Sequence, residues 1–234
     1  MSQPQVLYLD NHLLVLDKPW GMLTQPSGTR EPSLEDWGKA YLKERFQKPG
    51  NVFLEAVHRI DRVVGGVVLF ARTSKALSRL NASQRSHEIR KTYQGLVWRG
   101  ETPLAQTPFG ENSGELRTWL VHEEHFARVA ASPQEPGARE CVLGFSRSQV
   151  WETGILLTLD LQTGRYHQIR AQLAASGFPL CGDVKYGAPG ESRGPFPNFR
   201  EGIGLLSRTI EFPHPVTRER ILVESRLSLT DPRE

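Results

Sequence analysis

The run Gly65-Gly66-Val67-Val68-Leu69-Phe70-Ala71 constrains the fold of this chain more than any other stretch. It carries no charge, is rich in β-branched side chains and is far too short to span a bilayer. It reads as a strand inside a sheet. Directly before it stand His58, Arg59, Asp61 and Arg62, four polar groups in five positions. A charge taken out of water is costly unless it is paired, so charges beside a core strand need partners or a chemical task.

The remaining pattern places that strand in a mixed α/β chain. "VLYLD" (6–10) and "HLLVLDKP" (12–19) are apolar runs joined at Asp10-Asn11, the signature of a hairpin. "KPWGMLTQPSG" reads as a loop. Ser33 with Asp36 three positions on predicts a capped helix, with Leu34, Trp37, Tyr41 and Leu42 on one face. Ser74 caps a second short helix carrying Leu77 and Leu80. "KTYQGLVWRG" (91–100) alternates as a strand does, with Tyr93, Gly95 and Val97 on one face. Residues 101–140 scatter Pro, Gly and charge, and short strands with mobile loops are expected there. Ile155–Leu161 reads as a strand that turns at Thr163-Gly164 into a helix from about Arg165, stopped by Gly177. "PFPNFR" near 195 reads as loop, and two strands about "HPVTRE" close the chain. There is no repeat or low-complexity linker, so one domain over 1–234 is the simplest account.

Composition narrows the classes. With 234 residues, 24% charged and 38% apolar, the chain can bury a substantial core. A net charge of +3 permits a nucleic-acid partner without arguing for one. Cys141 and Cys181 form no Cys-x-x-Cys pair and no zinc-spaced cluster. No secretory signal or membrane-length run is visible, so a cytosolic protein with reduced thiols is expected.

On the predicted helix from Arg165, Tyr166, Ile169 and Leu173 share a stripe and Arg170 stands at its edge. A guanidinium in that position either snorkels into water or takes a carboxylate. Asp61 has the matching difficulty, so an Asp61–Arg170 ion pair is one option among several.

"HRIDR" followed by "GGVVLFA", then "KTYQGLVWRG", then "TGRYHQIRAQLAASGFPLCGDVKYG" resembles the RluA family of pseudouridine synthases. The opening "HLLVLDKPWGMLTQPS" and the closing "IEFPHPVT" fit the same order. Single pieces are weak signals; "HRIDR", "TGRYHQIR" and "GDVKYG" together are specific. The resemblance implies an α+β pseudouridine synthase fold: a long mixed, mainly antiparallel sheet flanked by helices, with a central cleft. It implies an enzyme that isomerises uridines of ribosomal or transfer RNA with no cofactor and no metal. Asp61 matches the catalytic aspartate, Arg170 its basic partner, and Tyr93 the tyrosine at the target base. Arg59 matches the arginine that, in some members, fills the space of a flipped nucleotide, and His58, Arg62, Arg165 and His167 are assigned to substrate binding. Without the resemblance, Tyr93 reads as a core tyrosine, Arg59 as a solvated or phosphate-binding side chain, and His167 as a structural hydrogen-bonding histidine. Asp183 and Lys185 read as structural or phosphate contacts, and Lys18 as support for the floor of the site or a phosphate contact.

The sequence departs from the family pattern where Val63, Val64 and Gly65 replace Thr-Ser-Gly, where Tyr166 replaces Thr or Ser, and in "SRTIEF". None of these removes a catalytic group. Two rival functions remain: a non-catalytic RNA-binding or ribosome-assembly module on the same scaffold, and an unrelated hydrolase with Asp61 as nucleophile. The second would need an acid/base partner in a recognisable setting, and none is found. A monomer is expected.

Overall fold

The structure, a computed structural model, describes residues 3–28, 31–193 and 202–230. The expected loop at "PFPNFR" lies outside the described residues. Along the chain run β1 (Gln5–Leu9), β2 (Leu13–Lys18), α1 (Leu34–Arg45), β3 (Glu55–Ala56), β4 (Gly65–Ala71) and α2 (Ser74–Arg85). They are followed by β5 (Arg90–Trp98), β6 (Ser113–Glu123), β7 (Phe126–Val129), β8 (Arg139–Val150), β9 (Gly154–Leu161), α3 (Gln168–Ala175), β10 (Leu205–Pro213) and β11 (Arg220–Glu224). Every strand pairing described below is antiparallel except that of β4 with β10. This is the α+β class that the motifs implied. The chain divides into two compact units, Met1–Lys91 with Leu206–Ser228 and Thr92–Leu205 with Leu229–Glu234.

In the first unit, β4 is paired on one edge by β2 from Leu13↔Ala71 to Lys18↔Gly66. Its other edge is shared. β3 covers the far end at Ala71 and Phe70, and β10 covers the near end at Gly65 and Gly66. Between them, Val57 N donates to Leu69 O at 2.9 Å and Ser207 Oγ to Val67 O at 3.2 Å. Residues 58–64 therefore leave the sheet where one neighbour of β4 ends and another begins. That split resolves the juxtaposition of charge and core seen in the sequence: the strand is buried, while the polar segment is a loop peeling off its edge.

Both faces of β2 and β4 are covered, which is why "LLVL" is apolar throughout. Leu13 and Val15 pack with Ala76 and Leu80 of α2 and with Ile210, Phe212 and Val223. Gly38 of α1 lies so near the alternate side chains that a Cβ there would stand 2.6 Å from Leu54 and 3.3 Å from Leu14 and Leu16. Each such leucine contributes about 2 kcal/mol by leaving water. Ser33 caps α1, accepting from Asp36 N at 3.1 Å. The buried face of α1 is Leu34, Gly38 and Leu42, while Trp37 and Tyr41 stack at its flank with centroids 5.5 Å apart. α2 is capped by Thr73 rather than Ser74, Thr73 Oγ1 accepting from Ala76 N at 3.1 Å.

The second unit is the antiparallel array β5–β9–β8–β6–β7, with α3 packed on β6, β7 and β8. Here the expectation of short strands over 101–140 holds for β7, with 4 residues, but not for β6, which has 11. β6 is mostly exposed, so its strand character comes from cross-strand pairing rather than burial. Arg117, for example, bridges Glu115 at 2.9 Å and Glu140 at 2.6 Å. A strand exposed over most of its length carries little hydrophobic periodicity.

Candidate active site

Each unit carries half of the sequence-assigned residues. In the first, the loop His58–Val64 is stitched to the segment after β2. Thr24 Oγ1 donates to Ile60 O at 2.8 Å and accepts from Ile60 N at 3.3 Å. Lys18 is wholly buried, and its Nζ donates to Met22 O at 2.7 Å, Pro19 O at 3.1 Å and Arg62 O at 3.2 Å. Three carbonyls match the three donors of an ammonium. Burial pulls this amine down to about 7; the Asp61 carboxylate opposes that fall and Arg62 adds to it. The support that the sequence suggested for Lys18 is thus a three-point staple under the Asp61 loop.

Asp61 is half-buried and opens a turn closed by Val64 N donating to its carbonyl at 3.0 Å. Arg59 is exposed. Arg62 is also exposed, but its Nε donates to Gly21 O at 2.9 Å and its Nη2 lies 3.2 Å from Glu31, so part of its donor capacity serves the loop itself. His58 is buried, and its Nε2 accepts the Leu69 N–H at 3.2 Å. Its Nδ1 has no partner among the described residues. Burial, with Lys91 adding to it, holds this imidazole well below the usual histidine range. Assigned to substrate from sequence, His58 instead faces β4 and stands in for the backbone carbonyl that would have continued the β3 ladder.

The two glycines that open β4 have separate reasons. A Cβ on Gly65 would stand 2.8 Å from the Trp20 indole, and one on Gly66, at φ +111°, would stand 2.2 Å from Ser207 O. Behind the loop, Asp17 is buried but satisfied, accepting from Ser225 Oγ and Arg226 N, each at 2.7 Å.

In the second unit, Tyr93 sits on β5 opposite Leu159 and is buried. α3 begins at Gln168, not near Arg165, because His167 has a left-handed backbone at φ +51°. Tyr166 therefore lies outside the helix, 40% exposed, and does not share the predicted stripe with Ile169 and Leu173. The Gln168 side chain closes this entry: its Oε1 accepts from Thr163 Oγ1 at 2.9 Å and from Arg165 N at 3.1 Å. Arg165 is exposed.

Arg170 is buried rather than marginal, with 5% of its surface exposed. Its Nε and Nη2 grip Asp183 Oδ2 and Oδ1 at 2.7 and 2.8 Å, a bidentate pair. Nη1 lies 3.1 Å from His167 Nε2, and the guanidinium carbon is 4.8 Å from the Tyr186 ring centre. His167 Nδ1 is 2.9 Å from Tyr186 Oη, which also accepts from Ala127 N of β7 at 3.0 Å. Phe126 stacks on Tyr186 at 4.5 Å. Breaking a buried pair such as Arg170–Asp183 costs about 3–5 kcal/mol. Asp183, read from sequence as a structural or phosphate contact, is a partner of Arg170 that sequence reasoning overlooked. The signal was present in "GDVKYG", whose aspartate falls 13 positions after Arg170 and beyond the Gly177 stop.

A fold of this kind is shared with human RNA pseudouridylate synthase domain containing 4, a solved structure matched at a TM-score of 0.73 and 17% identity, over 95% of this chain and 88% of that one. The sequence pattern of the RNA pseudouridylate synthase family matches residues 12–175, and the chain belongs to that family. Among its relatives, the dual-specificity RNA pseudouridine synthase RluA of Haemophilus influenzae is 29% identical over 227 residues, covering 94% of this chain and 92% of that protein. The ribosomal large subunit pseudouridine synthase C of Buchnera aphidicola is 28% identical over 229 residues; there the match covers 95% of this chain and 66% of the relative's length.

Proposed function

We propose that this chain converts a specific uridine of ribosomal or transfer RNA to pseudouridine, working as a cytoplasmic monomer in which the two units act together as one catalytic domain. The observation that carries the proposal is the family match over 12–175, a span holding Asp61, Tyr93 and Arg170 intact. The same match supports the enzyme over the non-catalytic RNA-binding module.

The reaction breaks the bond from uracil N1 to ribose C1′, turns the base and joins C5 to C1′. Those atoms are hidden in a stacked helix, so the nucleotide is extruded at a cost of a few kcal/mol. Arg59, exposed on the Asp61 loop, is suited to fill the vacated space, and Tyr93 to lie against the uracil. Asp61 acts as the carboxylate, either attacking C1′ or taking a proton from C2′. Arg170 takes the basic role that the family pattern gives this position. Support for these roles lies in how firmly the flanking structure is held: the loop on either side of Asp61 by Lys18 and Thr24, and Arg170 by Asp183.

The test uses transcribed ribosomal and transfer RNAs, with pseudouridine read by mass shift after chemical derivatisation. Wild-type protein is expected to modify a defined position. Asp61→Asn is expected to lose all turnover while keeping RNA affinity within about threefold. Turnover by Asp61→Asn at the wild-type rate would remove Asp61 from the chemistry. Light scattering on the same preparations reads the oligomeric state.

A further inference from the structure

The described contacts leave one imidazole with a single workable protonation state. Arg170 Nη1 is always a donor, so His167 Nε2, 3.1 Å away, must present its lone pair. A neutral ring then carries its hydrogen on Nδ1, which donates to Tyr186 Oη at 2.9 Å. Tyr186 is itself anchored by the Ala127 N–H at 3.0 Å. The guanidinium is held on its other edge by Asp183. A second proton on His167 would set N–H against N–H at the Arg170 contact.

We infer that His167 is a positioning residue for Arg170, acting as a neutral Nδ1–H imidazole whose Nε2 fixes the guanidinium edge that Asp183 does not hold. This rests on the reading of Arg170 as a participant in the reaction. The backbone fits the task. The left-handed turn at His167 delays the helix by three residues and brings the ring back over Arg170 and Tyr186 instead of out from the first helical turn. Tyr166, one of the positions where this chain departs from the family pattern, stacks on His167 at 4.0 Å, with the His122 ring tilted against it at 4.2 Å. The ionisable groups against the ring are Arg170 on α3, Tyr186 on the turn after it, and Tyr166 at the helix entry; Asp183 lies behind Arg170 and His122 beyond Tyr166. Protonation of His167 in acid therefore withdraws the acceptor and repels the guanidinium together.

Three proteins separate positioning from simple structural support. His167→Gln can return an oxygen to Arg170 but cannot titrate. His167→Asn suits the left-handed backbone and can bond Tyr186, but is too short to reach Arg170. Wild type is expected to lose kcat on the acid side. His167→Gln is expected to keep kcat within about threefold at pH 7.5 and to lack that acid limb. His167→Asn is expected to lose kcat by about tenfold or more, with KM for RNA unchanged, since a small misplacement of a positioned group is felt mainly in turnover. Imidazole nitrogen NMR on wild type is expected to show Nδ1 protonated and Nε2 bare at pH 7.5, with protonation of Nε2 tracking the acid limb. An unchanged acid limb in His167→Gln, a wild-type kcat in His167→Asn, or a protonated Nε2 at pH 7.5 each overturns the inference. If wild type modified no RNA, the functional reading would fail by itself, and the NMR tautomer would still decide the state of His167.

Discussion

His58 shows how a single side chain can serve as backbone. Its Nε2 takes the Leu69 N–H just where β3 stops providing carbonyls. A protonated ring could not accept that bond, and burial already disfavours the charge. The folded-state pKa is thus below the unfolded value of about 6.5. Below pH 6.5 the unfolded chain binds a proton that the folded chain refuses, so stability is complete above that point and falls as the pH drops toward the folded pKa. The slope contributed is at most about 1.4 kcal/mol per pH unit. Urea melts from pH 7.5 to 5 are expected to show a shallower loss for His58→Gln than for wild type. Equal slopes in that window would assign the effect to other histidines. Asp61, Tyr93 and Arg170 were singled out in the sequence by the family resemblance rather than by pattern alone. The employment of His58 was not, since a histidine that replaces a carbonyl has no linear signature.

At the scale of elements, legibility followed burial. β2, β4 and α1 could be read directly because their apolar runs and caps face a core on known sides. β6 and β8 could not, because their stability lies in cross-strand partners far off in sequence, as with Arg117 and Glu140. α3 was placed early because nothing in "TGRYHQ" distinguishes a left-handed His167 from a first helical residue. The pairing of Arg170 with Asp183 was hidden for the same reason as β6: it depends on the turn after Gly177 folding back. The parallel contact of β4 with β10 has its own sharp requirement at Gly66, where no side chain fits against Ser207 O. Gly66→Ala is expected to lower stability by about 3 kcal/mol or more, through backbone strain and separation of the two strands. Thermal unfolding compared with Gly65→Ala, whose clash is with the movable Trp20 ring, checks this: the Gly66 variant should melt lower. Equal melting temperatures would show that β10 can retreat at little cost.

For the whole molecule, the first unit is assembled from both ends of the chain. β10 and β11 pack with Leu13, Val15, Val67 and Leu69, and Ser225 with Arg226 satisfies the buried Asp17. A chain ending at Gly204 loses these strands, bares the near end of β4 and leaves Asp17 without two donors. It is expected not to fold its first unit, as read by loss of near-ultraviolet circular dichroism and rapid proteolysis within residues 1–91. A truncated chain with a native-like melting transition would refute this.

The shared edge of β4 also bears on biosynthesis. While the ribosome is still extending the chain, Lys18, Thr24 and the Asp61 turn have already emerged, but Ser207 has not. The flank that closes against Gly65 and Gly66 is translated long after them. Until residues 206 and 207 emerge, the near end of β4, beside the Asp61 turn, has no partner strand on that edge, so this loop is framed late in synthesis.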